Sequence, residues 1–411
     1  MLKIPSFSIL AVFVLALAGC AQTAQSGLPT HVSTLAATPV PATTSTASAM
    51  ACTILHTPVT PEALPANLGE SAHVTGPTNA PVTIVEFSDY QCPYCALLAA
   101  VLKKIRQTHT QDVRFVFVDT PISTKDKDEL ATQAVEAADL QGKFWNMHDL
   151  LFDQQAAWSG LAAADFQVWL LRQASSLGLD TDKFQKDLNG KTVTDRLQKA
   201  IQTTATQHIT VPILFVNGSS PYTGLADFAS LDTVVRMDAL TVRQFSACPA
   251  WMIDPLKQYI ATLHTSKGDV VIQLLPDKAP QAVNAFVSLA RSGWYSGITF
   301  YKVIPNFLAM TGDPSETGMG NPGYLFQTEI YTSQHFEQAG VVAMDNSGPN
   351  TANGRFFITL GPAQQLYGQY TAFGKVLSGM SVLSALTPRN PQPGIVPPTG
   401  DELISITIAE K

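Results

Sequence analysis

Two different patterns of apolar and polar positions follow one another along the chain. Residues 82–87 and 113–119 alternate β-branched or aromatic side chains with polar ones, which is typical of strands. Between them, the apolar spacing over 96–108 predicts a helix, so the order is strand, helix, strand. Further amphipathic stretches predict helices near 129–155, 162–177, 191–207 and 229–240. We therefore expect an α/β domain in this first part of the chain.

From residue 259 onward, short apolar stretches alternate with turns rich in glycine and proline, which is typical of a closed antiparallel barrel. The predicted strands lie near 259–264, 270–274, 299–304, 340–344, 356–359, 372–376 and 404–408. One helix fits residues 282–292. Residues 318–323 match G-x-G-x-x-G, but no predicted strand and helix flank them, so the motif indicates a loop rather than a dinucleotide site.

The N-terminus has the pattern of an export signal. Lys3 precedes an apolar run over 9–18 that ends in small residues, and the run is shorter than the about 20 apolar residues that span a membrane. The sequence Leu-Ala-Gly-Cys over 17–20 resembles a bacterial lipobox. This resemblance implies cleavage before Cys20, which then carries lipid. The alternative is an ordinary signal peptide that is cut elsewhere.

The segment after this signal carries no charge. No Asp, Glu, Lys or Arg occurs between Lys3 and Glu62, and residues 21–50 are mostly Ala, Thr, Ser, Pro and Gln. Such a segment buries too little apolar surface to offset its ordering entropy, so we expect a disordered tether with a reach of roughly 30 Å. The predicted regions are a signal peptide (1–19), a tether (20–60), a first domain (61–245), a connector (246–258) and a second domain (259–411).

Composition and charge narrow the function further. The 411 residues correspond to two or three domains of about 150 residues each, and 45% hydrophobic residues suffice for real cores. The net charge of −7 argues against nucleic-acid binding, which requires a basic surface. We therefore expect a folded protein without a nucleic-acid partner.

The strongest chemical signal is Cys92-Pro93-Tyr94-Cys95, which lies between a predicted strand and a predicted helix. At a helix N-terminus the dipole and the free amide groups stabilise a thiolate, and a second cysteine one turn later can attack a mixed disulfide. This context favours redox chemistry. The alternative, half of a zinc site, needs a second Cys or His pair that the sequence lacks, so no metal is expected.

Residues 85–95, 142–152 and 211–218 resemble the DsbA-like branch of the thioredoxin superfamily. The resemblance implies a thioredoxin fold with a helical insertion and an activity that needs no cofactor. It makes Cys92 the nucleophilic or transferred sulfur and Cys95 its partner. Val211 and Pro212 match the substrate-docking segment with its cis-proline. The resemblance favours an oxidase, while a reductase or a disulfide isomerase remains open.

Glu86 matches the buried acid of the same family. The resemblance implies that Glu86 moves a proton to and from Cys95, since a desolvated carboxyl group has a raised pKa. The alternative is a surface acid at the edge of a strand.

The second domain is similar to cyclophilin-type peptidyl-prolyl isomerases. The similarity is carried by residues 264–272, 300–307, 348–351, 356–359 and 373–376. It implies an all-β eight-stranded barrel with two helices and a pocket for proline. The implied substrate-binding residues are Phe307, Leu308, Met310, Asn346, Phe357, Leu366 and Tyr370.

Two positions of the implied catalytic site depart from that family. Lys302 stands in place of the catalytic arginine, and Met310 in place of a supporting glutamine. Lysine keeps the charge but lacks the planar fork of donors. Arg355 stands where a glutamine is usual, and we hypothesise that its guanidinium replaces the missing one. The alternatives are a surface arginine and a pocket that only binds proline-containing chains.

The five cysteines can now be assigned. Cys20 is expected to carry lipid, and Cys92 with Cys95 forms the redox pair. Cys52 and Cys248 remain, and in an oxidising compartment we expect a structural disulfide between them. The competing possibility is a crosslink from either thiol to another chain.

Together these features predict a lipid-anchored bacterial protein that faces away from the cytoplasm. It would combine thiol-disulfide exchange with peptidyl-prolyl isomerisation, two slow steps of extracytoplasmic folding. The expected partners are unfolded or partly folded secreted polypeptides and a membrane protein that restores the redox state of the cysteine pair.

Overall fold

The computed structural model describes residues 50–55, 72–121, 126–207, 210–218, 222–223, 226–333, 336–391 and 398–411. Cys20, the predicted signal peptide and most of the predicted tether lie outside the described residues. Within the described ranges, no helix is both long enough and apolar enough to cross a membrane.

Within its described residues, the first part of the chain forms a five-stranded sheet with helices packed against it. Its elements are β1 (Thr53–Ile54), β2 (Ala72–Thr75), β3 (Val82–Ser88), α1 (Pro93–Thr108), β4 (Val113–Asp119), α2 (Asp128–Asp139), α3 (Phe144–Asp153), α4 (Gln155–Trp158), α5 (Ala163–Ser176), α6 (Thr181–Leu188), α7 (Lys191–Gln207), β5 (Ile213–Val216), β6 (Tyr222–Thr223) and α8 (Phe228–Leu240). The strand order is β2-β4-β3-β5-β6, and only β3 and β4 run parallel. β3 is central and almost entirely buried, so the end of β3 is a rigid place from which to present a reactive group.

The elements around the cysteine motif are confirmed, whereas the single helix predicted near 129–155 is wrong. The chain leaves α2 in a turn at residues 140–143, and α3 and α4 follow as separate helices. Gly142 has a φ of +69°, a conformation that glycine adopts without strain, and its amide donates to the Asp139 carbonyl. Because α2 and α3 both bury an apolar face in the same core, the helical pattern continues across the break.

The second part of the chain forms one large curled sheet. Its elements are β7 (Tyr259–Thr265), β8 (Gly268–Leu274), α9 (Pro280–Arg291), β9 (Ile298–Thr299), β10 (Lys302–Ile304), β11 (Leu308–Thr311), β12 (Tyr324–Leu325), β13 (Val341–Met344), β14 (Phe356–Thr359), β15 (Ala372–Ser378), α10 (Met380–Ser384) and β16 (Glu402–Glu410). Among the described residues, the sheet has nine strands in the order β10-β11-β14-β13-β15-β8-β7-β16-β9.

The strand predicted at 299–304 is divided between the two edges of this sheet. β9 pairs with β16 at one edge, and β10 pairs with β11 at the other. Only residues 300 and 301 separate β9 from β10, so the two edges must lie close together and the sheet curls around its core. This division, together with the unpredicted strand β11, turns the seven strands predicted from the pattern into nine, where the resemblance implied eight.

Residues 50–55, which were predicted to belong to the tether, are ordered against the barrel. Met50 is 1% exposed and lies in the barrel core, and β1 pairs antiparallel with β12. A disulfide joins Cys52 to Cys248, 196 residues further along the chain. The prediction that residues 50–55 are part of a disordered tether is therefore wrong, because their polar surroundings in the sequence conceal the buried Met50.

Candidate active sites

The Cys-Pro-Tyr-Cys motif lies at the junction between β3 and α1. Cys92 is the N-cap residue of α1, and its Sγ accepts a hydrogen bond from the Cys95 amide at 3.2 Å. Pro93 occupies the first turn, where its missing N–H costs no helical hydrogen bond. Cys92 is 6% exposed and Cys95 is 0% exposed. The helix N-terminus therefore favours a thiolate at the cysteine that a substrate reaches first.

Glu86 lies within β3 and is 0% exposed, so the alternative of a surface acid is wrong. Among the described residues, neither oxygen of its carboxylate has a hydrogen-bond partner. The neighbouring Ser88 hydroxyl lowers the pKa of Glu86 without meeting hydrogen-bond geometry, and burial outweighs it, raising the pKa to about 7. Glu86 can therefore gain or lose a proton near neutral pH.

Cys95 is the buried partner in the same site. Burial raises the pKa of the Cys95 thiol well above its ordinary value, and its contact with Cys92 raises it further. A thiol in such surroundings holds its proton, so its reactions need a group that can take up or return that proton. Glu86, which lies within electrostatic reach of Cys92, has the pKa that this task requires.

Val211 and Pro212 meet the cysteine site from the neighbouring strand. The peptide bond between them is cis. Ile213, the next residue, pairs with Phe87 of β3, so Pro212 lies at the end of β3 from which the cysteine motif departs. Val211 packs against the buried apolar cluster of that sheet. The topology thus brings both predicted docking residues to the cysteine site.

Two buried acids beside this site were missed by the sequence analysis. Asp119 lies directly opposite Ser88 at the carboxyl ends of the parallel strands β3 and β4, and Asp89 follows Ser88. Asp119 is 2% exposed and Asp89 is 0% exposed. Burial raises the pKa of Asp119 well above its ordinary value, and the carboxylate of Asp89 raises it further. An acid at the carboxyl end of a buried strand, within β4 for Asp119 and directly after β3 for Asp89, is the signal that could have found them.

The predicted proline pocket lies on the outer face of the curled sheet. Lys302, Met310, Phe357 and Ala343 are consecutive partners across β10, β11, β14 and β13, so their side chains share one face. A separate apolar cluster forms here and is distinct from the barrel core. It includes the predicted residues Phe307, Leu308, Met310, Phe357, Leu366 and Tyr370. The structure therefore brings the apolar part of the predicted pocket together with Lys302.

The rim of this groove is held by contacts between loops. The Tyr370 ring stands perpendicular to the Phe357 ring, with centroids 5.2 Å apart. Asn346 Nδ2 donates to the Gln369 carbonyl at 2.9 Å, and Asn346 Oδ1 accepts from the Gly348 amide at 3.0 Å. The side chain of Asn346 thus ties two loops together, and its predicted contact with the substrate backbone stays a prediction.

Arg355 is buried beside the groove, so the alternative of a surface arginine is wrong. It is 5% exposed, its Nε donates to Asp345 Oδ2 at 2.8 Å, and its Nη1 donates to the Gly320 carbonyl at 3.4 Å. Burial raises the pKa of Asp345, while the charges of Arg355 and Lys302 lower it. Both cations therefore act electrostatically on one carboxylate, and Arg355 also contacts it directly. Asp345 was missed by the sequence analysis, although an acid ten residues before Arg355, across a single loop, was a usable signal.

No group of three or more His, Cys, Asp or Glu side chains within the described ranges is arranged to hold a metal ion. The two candidate sites described above consist of two thiols with a buried acid and of an apolar groove with two cations.

Comparison with known proteins gives a match for each part of the chain. The family model for cyclophilin-type peptidyl-prolyl cis-trans isomerases matches residues 260–405, and a thioredoxin model matches residues 69–235. The isomerase ppi1 of Schizosaccharomyces pombe is 44% identical over 123 residues, which are 29% of this chain and 79% of that protein. Isomerase B of Streptomyces anulatus is 39% identical, over 33% of this chain and 89% of that protein. An isomerase of Helicobacter pylori is 36% identical, over 33% of this chain and 91% of that protein.

Proposed function

The chain belongs to the cyclophilin-type peptidyl-prolyl cis-trans isomerases, and we propose that it couples this activity to thiol-disulfide exchange at Cys92 and Cys95 as an extracytoplasmic folding catalyst. The observation that supports the second activity is the pairing of an N-cap cysteine with a buried acid whose pKa is about 7. The thioredoxin-like domain that holds them carries helices α2 to α7 between β4 and β5, which supports the proposal of a DsbA-like helical insertion.

The exchange reaction starts from the disulfide between Cys92 and Cys95. A substrate thiolate attacks Cys92 Sγ, and the sulfur of Cys95 leaves and takes a proton, which Glu86 supplies. A second thiolate of the substrate then attacks the substrate sulfur that is bonded to Cys92 in the mixed disulfide. This step forms the substrate disulfide and releases Cys92 as a thiolate. The substrate loses two electrons and gains a disulfide, while the enzyme is left as a dithiol. A membrane disulfide donor must reoxidise the pair.

The direction of exchange can be decided by the reduction potential of the cysteine pair. We expect a value above about −200 mV for an oxidase, because the helix N-terminus stabilises the reduced form through the Cys92 thiolate. Equilibration of the full chain with glutathione buffers, with Cys92→Ser as the control, measures it. A potential near −270 mV, the value of thioredoxin, would instead assign a reductase.

The isomerase reaction needs no covalent step. The barrier to rotation about the peptide bond is about 18–20 kcal/mol because of amide resonance, and a donor near the proline nitrogen weakens that resonance in the twisted state. The apolar cluster around Phe357 holds the proline ring. We assign the donor role to Arg355, because its planar fork of donors is present beside the groove where Lys302 offers only a point charge.

Peptide isomerisation by full-chain variants tests this assignment. Arg355→Gln should lower kcat/KM about tenfold to hundredfold, since a preorganised donor is lost, and Lys302→Ala should lower it less. Arg172→Ala, which removes an exposed arginine on α5, is the matched control. Wild-type rates for Arg355→Gln would refute the role of Arg355, and a larger loss for Lys302→Ala would transfer the role to Lys302.

We further propose that lipid on Cys20 anchors the protein to a bacterial membrane, on the face directed away from the cytoplasm, where secreted polypeptides fold. The lipobox-like residues 17–20 and the uncharged segment after them support this. Labelling with a fatty-acid analogue should mark the wild type, and Cys20→Ser should abolish the label. A label that persists in Cys20→Ser would contradict the anchor.

A further inference from the structure

Helix α8 belongs to the hydrophobic cores of both domains. Leu231 and Val235 pack in the core of the thioredoxin-like domain. Leu240, the last residue of the helix, is 3% exposed and packs in the core of the barrel. Protein cores are close-packed and resist small displacements, so α8 cannot tilt without disturbing both. The helix is therefore a stiff connection between the two domains.

The C-terminal end of α8 rests on residues 313–320, which we call the Asp313 loop. A Cβ atom at Gly320 would approach Leu240 Cδ2 to 2.8 Å, so the Leu240 side chain lies directly against the loop backbone. One turn earlier, Met237 Sδ lies 3.4 Å from the Thr317 hydroxyl oxygen. Two side chains of α8 thus contact the same loop of the barrel.

The Asp313 loop is internally rigid. The Asp313 carboxylate is 0% exposed and accepts hydrogen bonds from three backbone amides, those of Ser315 at 2.8 Å, Gly318 at 2.7 Å and Gly320 at 3.0 Å. A loop tied to one buried carboxylate moves as a unit. A shift of the loop at its contact with α8 is therefore carried to its other side.

That other side faces the isomerase groove. The Gly320 carbonyl accepts the hydrogen bond from Arg355 Nη1 at 3.4 Å. The ring of Tyr301, the residue before Lys302, lies against Gly318, where an added Cβ atom would come within 3.2 Å of it. Gly320 is thus contacted by Leu240 from the thioredoxin side and by Arg355 from the groove.

We propose that Met237 and Leu240 of α8 are positioning residues for the isomerase, acting through the Asp313 loop on the guanidinium of Arg355. This inference rests on the role proposed for Arg355. It makes the thioredoxin-like domain a structural part of the isomerase site, although neither residue touches the groove.

Full-chain variants tested for peptide isomerisation address this proposal. Met237→Ala and Leu240→Ala should each lower kcat/KM about threefold to tenfold, and the loss should fall on kcat because the apolar wall that binds proline is unchanged. Leu240→Met, which keeps a large apolar side chain at this position, should have a kcat/KM close to that of the wild type. Thr233→Ala is the matched control, because the hydrogen bond that the Thr233 hydroxyl donates among the described residues goes to the Ala229 carbonyl of its own helix. Leu240→Ala leaves a cavity in the barrel core and this variant can fail to fold. Met237 is only half-buried, so Met237→Ala tests the proposal in that case.

The route through Arg355 is tested by combining variants. In an Arg355→Gln background, Met237→Ala should have no further effect, since the group that it positions is absent. If Met237→Ala lowers kcat/KM by the same factor in the Arg355→Gln background as in the wild type, the proposal is overturned. It is also overturned if Met237→Ala and a folded Leu240→Ala both have the kcat/KM of the wild type. Wild-type rates for Arg355→Gln alone would instead remove the premise, so failure of the proposed role of Arg355 is distinguished from failure of the coupling.

Discussion

Replacing Glu86 by glutamine should change how the stability of the thioredoxin-like domain depends on pH. Burial raises the pKa of Glu86 from 4.5 to about 7 in the folded protein. Between these values the folded state binds a proton that the unfolded state has released, so the free energy of unfolding of the wild type falls as pH rises, and the loss is complete above pH 7. At about 1.4 kcal/mol for each pH unit, the loss is about 3 kcal/mol. Glutamine at position 86 stays uncharged at every pH, so the variant does not lose this unfolding free energy as pH rises.

The quantity to measure is the difference in unfolding free energy between Glu86→Gln and the wild type. It should rise by about 3 kcal/mol from pH 4 to pH 8. Urea unfolding, followed by loss of protection of the buried Cys95 thiol in a Cys92→Ser background, reports on this domain specifically. Glu129→Gln, which removes an exposed glutamate on α2, is the control and should give a flat difference. A flat difference for Glu86→Gln as well would refute the reasoning.

Three further outcomes are expected. Asp345→Asn leaves the buried charge of Arg355 without its carboxylate and should destabilise the barrel by about 3 kcal/mol in thermal unfolding, and an unchanged midpoint would show that the pair is not structural. Replacing both Cys52 and Cys248 by alanine opens a loop of 196 residues and should cost up to about 5 kcal/mol, measured by denaturant unfolding, whereas equal midpoints would contradict this. Phe357→Ala should weaken binding of a proline-containing peptide about tenfold by titration, and unchanged affinity would place the proline elsewhere.

Sequence pattern predicted elements well where one face or both faces of a strand are buried. The strand predicted at 113–119 has the bounds of β4, and the one at 82–87 lacks only the last residue of β3. The helix predicted near 129–155 was wrong because the chain turns at residues 140–143, where Gly142 has a positive φ, and apolar spacing does not record a backbone turn. The division of strand 299–304 had no local signal at all, since it follows from closure of the whole sheet.

The candidate sites show the same limit. Family resemblance located the groove residues, and the structure brings most of them into one cluster. Resemblance did not reveal that Arg355 is buried against Asp345, because Arg355 departs from the family pattern and their contact depends on how one loop folds. The burial that raises the pKa of Glu86 likewise comes from neighbouring strands that the local sequence does not specify.

Long-range attachment was the hardest feature to predict and has the largest consequence for the barrel. Residues 50–55, which precede the thioredoxin-like domain in the sequence, pack against the barrel. Leu240, at the end of that domain, packs in the barrel core as well. Ile54 pairs with Tyr324, 270 positions away, and no local composition records such a partner. A barrel cut free at residue 259 therefore lacks Met50, whose burial is worth about 2 kcal/mol, and it lacks β1 and the buried Leu240 as well. Such a fragment should unfold at lower denaturant than the barrel of the full chain, and equal midpoints would show that residues 50–55 add no stability to it.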